Sequence, residues 1–195
     1  MRHDPKTSEL APRLDAILRA TPGLMQVLHT ARALALPDWL VFSGAVYQPV
    51  WNHLTGRPPD YGLSDYDLGY FDAADPSYDA EDAVIRRVAE ALPAPLKPLV
   101  EVRNQARVHL WFESRFGEPY TALGATSEAL ARFVSPAFAV GARLEQDDSL
   151  TILAPFGLED VFALRLRPNP WRQGRGFDRA AERALARWPE LTIES

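Results

Sequence analysis

Two aspartates, Asp65 and Asp67, stand one residue apart in the run Ser64-Asp65-Tyr66-Asp67-Leu68. Asp65 to Phe71 reads as a strand. Alternate side chains of a strand face one side, so both carboxylates point the same way, with backbones roughly 6–7 Å apart. Neighbouring carboxylates repel each other unless a cation lies between them, and hard oxygen donors suit Mg²⁺ or Mn²⁺. Two solvated acids in a surface turn would look the same. Upstream, Ser43-Gly44-Ala45 forms a tight turn of small residues before a helix. Small residues let a phosphate approach the backbone, and a helix N-terminus offers free N–H donors. A turn that merely needs small residues is the alternative. Downstream, Glu101, Arg103, Arg107 and His109 share one parity of an alternating run. Arg103, Arg107 and His109 could hold a triphosphate or an acceptor, or line a solvated, ion-paired sheet face on which Glu101 pairs with Arg103 or Arg107.

Several elements must position these groups. Leu10, Leu14, Ile17 and Leu18 form one helical stripe, and Leu24, Val27, Leu28, Ala31 and Leu34 form a second. The breakers Thr21-Pro22-Gly23 separate them. Trp39 to Phe42 reads as a short buried strand and Val46 to Leu54 as a short helix. Tyr78 to Leu92 is helical in period and ends at the proline-rich stretch Pro93 to Pro98. Leu99 to Phe112 alternates cleanly and predicts one long strand. Ser127 to Val134 predicts a short helix, and Ala137–Glu145 with Leu150–Ala154 a hairpin around a polar turn. Leu158 to Arg167 predicts a helix with acids at its start and arginines at its end. Phe177 to Trp188 predicts a last helix. Strands alternating with helices make the class α+β, close to α/β.

Composition narrows the function. The chain has 195 residues, 47% of them hydrophobic, enough for a buried core in one domain, residues 1–195. Within it we expect an N-terminal helical pair (1–36), a core (37–170) and a C-terminal helix (171–195). Cysteine is absent, which removes disulfide and thiol chemistry and suits a reducing compartment. No secretory signal and no membrane-length apolar run is seen, so the expected location is cytoplasmic, with no membrane partner. The net charge of −5 argues against an extended grip on nucleic acid.

The order of small-residue turn and helix, D-x-D strand, helix and acid-bearing strand resembles the DNA polymerase β-like nucleotidyltransferase superfamily. Within it, the chain resembles a little-characterised bacterial branch of nucleotidyltransferase family proteins. The resemblance is carried by Gly44 to Gly56, Ser64 to Asp72, Val102 to Trp111, Ala154 to Phe162 and Arg167 to Pro170. It implies a mixed-sheet nucleotidyltransferase core with N- and C-terminal helices. It also implies transfer of a nucleoside monophosphate from an NTP to an acceptor that the branch does not identify. By the same resemblance Asp65, Asp67 and Glu101 would be catalytic and hold Mg²⁺ or Mn²⁺, and Ser43, Gly44 and Ala45 would meet the phosphates. Ala45 stands where the superfamily more often has Gly or Ser, Tyr47 where a polar or basic residue is expected, and Glu101 where Asp is usual. These departures keep open a catalytically degenerate module that binds a nucleotide or a protein. A D-x-D glycosyltransferase is the remaining rival, but it would need a larger nucleotide-binding domain. Arg167-Pro168-Asn169-Pro170 would either cover the cleft or dock the last helix. Trp51 reads as core, and Asn52 as a cap or a ligand contact.

Overall fold

The computed structural model describes residues 5–172 and 176–194, with side chains from residue 9 onward. The chain opens with α1 (Pro5–Arg19) and α2 (Pro22–Ala33). The Thr21 hydroxyl donates to the Ile17 carbonyl at 3.0 Å, and Pro22 begins α2, where its missing N–H costs nothing. The facing stripes bury Leu14, Leu18, Leu24 and Leu28 completely. β1 (Leu40–Phe42) leads into α3 (Gly44–Leu54), then β2 (Tyr66–Tyr70), α4 (Tyr78–Ala91) and β3 (Val100–Asn104). After β3 come a 3₁₀ turn (Gln105–Leu110), the one-turn helix α5 (Phe112–Phe116) and further 3₁₀ turns. The hairpin β4 (Gly141–Leu144) and β5 (Leu150–Leu153), α6 (Glu159–Phe162), β6 (Arg165–Leu166), α7 (Phe177–Leu185) and β7 (Thr192–Ile193) complete it.

Five strands form one mixed sheet in the order β3-β2-β1-β4-β5, and β6 and β7 form a separate parallel pair. β2 and β3 run parallel and are joined through α4; the other neighbours in the large sheet are antiparallel. One sheet face carries Val41, Leu68 and Val102 into the main core with α1, α2 and α3. The other carries Leu40 and Phe42 into a smaller cluster with Leu123, Ala129 and Leu130. Period-two alternation thus leaves Asp67, Gly69, Glu101 and Arg103 on the thinly covered face. The α+β class and the mixed sheet expected from the sequence are what the structure has. No helix among the described residues is long and apolar enough to cross a membrane.

Three expectations need correction. The long strand over Leu99–Phe112 stops at Asn104. There the Asn104 amide oxygen accepts from Ala106 N at 3.1 Å and Asp72 N at 3.0 Å, and its Nδ2 donates to the Asp72 carbonyl at 2.8 Å. That side chain gives the backbone an alternative to the ladder. The helix over Leu158–Arg167 is one turn long. Buried Asp160 accepts from both Arg165 and Arg167, Leu164 adopts φ 51°, and the chain turns into β6. The Ser127–Val134 helix is a 3₁₀ segment over Thr126–Arg132.

Candidate active site

The β2–β3 register pairs Asp67 with Glu101 and Gly69 with Arg103. Adjacent residues of a ladder share a face, so the Asp67 and Glu101 carboxylates are neighbours on the open side of the sheet. Asp65 lies just ahead of β2, is exposed, and accepts from the Ser64 hydroxyl at 3.1 Å. Burial, then the Asp65 and Glu101 charges, push the half-buried Asp67 carboxyl up to about 7, against the opposing pull of Arg103. Glu101 is exposed, and its Oε1 accepts from Arg103 Nη2 at 2.6 Å. The ion pair foreseen for Glu101 therefore exists alongside its place beside Asp67. Among the described residues, no three His, Asp or Glu side chains are gathered as a preformed metal centre.

The Ser43 turn follows β1. Ser43 itself adopts φ 50°, a left-handed conformation rare outside glycine, and its N–H donates to the carbonyl of Val140, just ahead of β4, at 2.7 Å. Its own carbonyl accepts from Val46 and Tyr47, which start the helical ladder of α3. The N–H groups of Gly44 and Ala45 precede that ladder and are the ones a helix start leaves over. A Cβ at Gly44 would sit 2.8 Å from Gln48 Nε2, so a larger residue there requires the Gln48 side chain to shift. Gln48 Oε1 is buried without a hydrogen-bond partner. Tyr47 packs on Trp51 and Phe138 with ring centroids 4.4 and 4.9 Å away. Burial pushes its hydroxyl up to about 12. A hydrogen bond with Gln48 and the Arg187 charge oppose this, and the Asp67 and Asp65 charges reinforce it. This phenol is therefore a neutral wall beside the acids.

The basic residues separate. Arg103 stays with the carboxylates. Arg107, displaced by the end of β3, is ion-paired with buried Glu81, donates to the Pro76 carbonyl at 3.0 Å and lies over the Tyr78 ring. His109 sits in the 3₁₀ turn with a buried Nδ1 that has no partner. Neither Arg107 nor His109 lines the cleft beside the acids, so the shared face expected of them is corrected by the same early end of β3. Asn52 accepts from Trp188 Nε1 at 2.8 Å and donates to the Pro59 and Tyr61 carbonyls, which makes it a structural pin. Trp51 is fully buried.

A cleft of about 560 Å³ opens over Asp67, Gly69, Glu101 and Arg103. Its far walls are aromatic: Trp111, Phe112, Tyr120 and Phe133, with Phe116 and Trp171 at the rim. Sequence reasoning did not single out these positions as a site. Arg167–Pro170 leads to Trp171 and Arg172, which line this cleft. Asn169 is buried, donates to the Ala131 and Phe133 carbonyls at 2.9 and 2.7 Å, and holds Trp171 and Arg172 against the wall. Arg167–Pro170 itself stays out of the cleft lining: Arg167 pairs with Asp160, and Asn169 anchors the segment to the Ala131 and Phe133 carbonyls. The signal available in the sequence was the density of aromatics between Trp111 and Tyr120.

A family model described as nucleotidyltransferase matches residues 29–193. No protein of curated function matches significantly. Among solved structures, an NMR structure described as revealing a CCA-adding enzyme head domain superposes with a TM-score of 0.74 at 23% identity. That superposition covers 93% of this chain and 94% of the other. At that identity the likeness is one of fold.

Proposed function

Because the chain belongs to the nucleotidyltransferase family, we propose that it transfers a nucleoside monophosphate from an NTP to an acceptor hydroxyl, releasing pyrophosphate. We further propose that Asp65, Asp67 and Glu101 hold Mg²⁺ or Mn²⁺. The observation that carries this is the pairing of Asp67 with Glu101 across the β2–β3 ladder, with Asp65 two residues away. The donor set fits such a cation. All three groups are hard oxygen donors, and burial first, then the Asp65 and Glu101 charges, make Asp67 reluctant to ionise without a counter-charge. When bound, the cation neutralises phosphate charge and lowers the pKa of the attacking hydroxyl.

The chain's own residues would do the rest. The leftover N–H groups of Gly44 and Ala45, at the positive end of α3, would hold the β- and γ-phosphates. Arg103 would turn from Glu101 toward phosphate oxygens as substrate enters, freeing Glu101 to take the acceptor proton. Catalysis of this kind is positioning plus charge neutralisation. The test is pyrophosphate release from each of the four NTPs with Mg²⁺ or Mn²⁺, using small molecules, tRNA and protein as acceptors. Release with one pairing, lost in Asp65→Asn and Asp67→Asn, supports the reading. Nucleotide binding without release across the panel would support the second reading, a module that binds without turnover. The Arg103–Glu101 ion pair and Tyr47 beside the acids favour that second reading.

A further inference from the structure

The Ser43 turn and the cleft lie on opposite sides of Asp67. β1 is antiparallel to β2 and pairs Phe42 with Asp67, so Ser43 falls beyond Asp67 toward the start of β2. Gly69, Arg103 and Gln105, which floor the cleft, lie in the other direction along β2 and β3. In-line displacement at phosphorus puts nucleophile and leaving group on opposite sides of the reacting atom. If pyrophosphate leaves from the Ser43–Gly44 turn, as the proposed function has it, the attacking hydroxyl arrives from the cleft. On that reading we infer that the cleft is the acceptor subsite, and that the acceptor is a small, uncharged hydroxyl compound carrying a flat ring.

The walls set this chemistry. Phe112 packs on Tyr120 and Phe116 with centroids 4.5 and 4.7 Å away, leaving open space beside the group. Two rim aromatics, Trp171 and Phe116, are 65% and 55% exposed, and Trp171 is backed by Phe156 at 4.3 Å. Exposed aromatics at a cleft mouth suit an apolar, planar ligand. A polyanion finds little there. The charged lining residues are Asp67, Glu101 and Glu118 against Arg103, Arg132 and Arg172. Arg103 is paired with Glu101, Arg172 is paired with Glu118 at 2.8 Å, and Arg132 lies over the Tyr120 ring. Binding a nucleic-acid backbone requires an uncompensated basic groove. A cleft of about 560 Å³ is instead in the range for one small molecule. In the transfer, a bond forms between the acceptor oxygen and the α-phosphorus as the bond from that phosphorus to the bridging oxygen breaks. The pyrophosphate keeps the electron pair, and the hydroxyl proton passes to the Glu101 carboxylate.

A set of neutral, ring-bearing alcohols, their ring-free counterparts and a short oligouridylate are titrated against the full chain. Binding is followed by tryptophan fluorescence and ligand-observed NMR, with and without a non-hydrolysable NTP and Mn²⁺. The expected result is binding of ring-bearing alcohols only, retained when the nucleotide is present. It should be about tenfold weaker in Tyr120→Ala and measurably weaker in Phe116→Ser, whose exposed position leaves the fold intact. The inference is overturned if no ring-bearing alcohol binds, if the nucleotide displaces those that do, or if the oligouridylate binds more tightly. Nucleotide binding is read separately. Alcohol binding without nucleotide binding would sink the proposed function and leave the cleft's ligand chemistry standing. Nucleotide binding with displacement of the alcohols would do the reverse.

Discussion

The carboxylate end and the aromatic end of the cleft are built by different means. Asp67 and Glu101 stand on laddered strands, where register fixes each side chain's direction. The aromatic end stands on 3₁₀ turns and a one-turn helix, held by side-chain bonds to backbone such as Gly124 N to Glu128 at 2.8 Å and Thr126 N to Asp38 at 2.7 Å. Groups that must be placed precisely sit on rigid elements, and groups that choose a ligand sit on segments that can vary. The sharpest way to break this contrast is Asp67→Asn, an isosteric change that removes one charge from a crowded set. Turnover should fall by roughly 10³-fold or more, about 4 kcal/mol in the barrier, while the melting temperature holds or rises. A melting loss with turnover retained would make the carboxylate end structural.

Glu81 sits where the two ends join. It accepts from Asn104 N at 2.8 Å where β3 stops, and it pairs with Arg107. Glu81 is buried and Arg107 largely so, at 5% and 12% exposure of their side chains. Glu81→Ala would leave an unpaired buried guanidinium, which costs about 3–5 kcal/mol and lowers Tm by on the order of 10 °C in a chain of this length. Thermal melting checks this. A Tm within error of wild type would mean that the Glu81–Arg107 pair does not hold the end of β3.

The same contrast governs what could be read from the sequence. The helical stripes of α1 and α2 emerged from periodicity, because burial on one face imposes a period on the residues, and the β4–β5 hairpin from two runs flanking a polar turn. Glu101 came from parity and from the order of elements, and it lies beside Asp67 as that order requires. Arg107 and His109 carried the same parity, but Asn104 ends the strand with a side-chain hydrogen bond, a contact between residues 104 and 72 that no local pattern announces. The aromatic walls are assembled from segments around residues 111, 120, 133 and 171. Their meeting depends on Asn169 reaching the Ala131 and Phe133 carbonyls, which is tertiary information.

Gly69, on the floor between the two ends, offers a smaller perturbation. A Cβ there would collide with the Phe42 ring and lie 3.2 Å from Gln105 Nε2. Gly69→Ala should cost about 1–3 kcal/mol through overpacking, seen as a lower midpoint in urea with an unchanged slope. It should weaken a ring-bearing ligand more than a nucleotide, because the displaced Phe42 ring intrudes on the cleft and not on the Ser43 turn. Equal weakening of both would show that the two ends are not separable.

The smallest expected effect concerns pH. The Asp67 carboxyl is raised to about 7, well above the usual carboxylate range, chiefly by burial and then by Asp65 and Glu101. The folded chain therefore holds this proton more tightly than the unfolded chain does. Stability from this group is fully present below the unfolded pKa, declines as pH rises toward 7, and levels off above it. Elsewhere in the chain Asp75, Glu145, Asp147, Asp148 and Glu190 have lowered pKa values, and they act with the opposite sign at lower pH. The informative quantity is thus the difference between wild type and Asp67→Asn. Without divalent cation, wild type should lose roughly 3–6 °C more than the variant between pH 5 and pH 8, at about 2–4 °C per kcal/mol. Saturating Mn²⁺ should restore that difference at pH 8 and do little at pH 5, where the proton already occupies the carboxylate. Parallel curves for the two proteins would mean that Asp67 ionises freely and that its neighbours do not crowd it. The carboxylate end would then lose its claim to be poised for a cation, while the aromatic end would be unaffected.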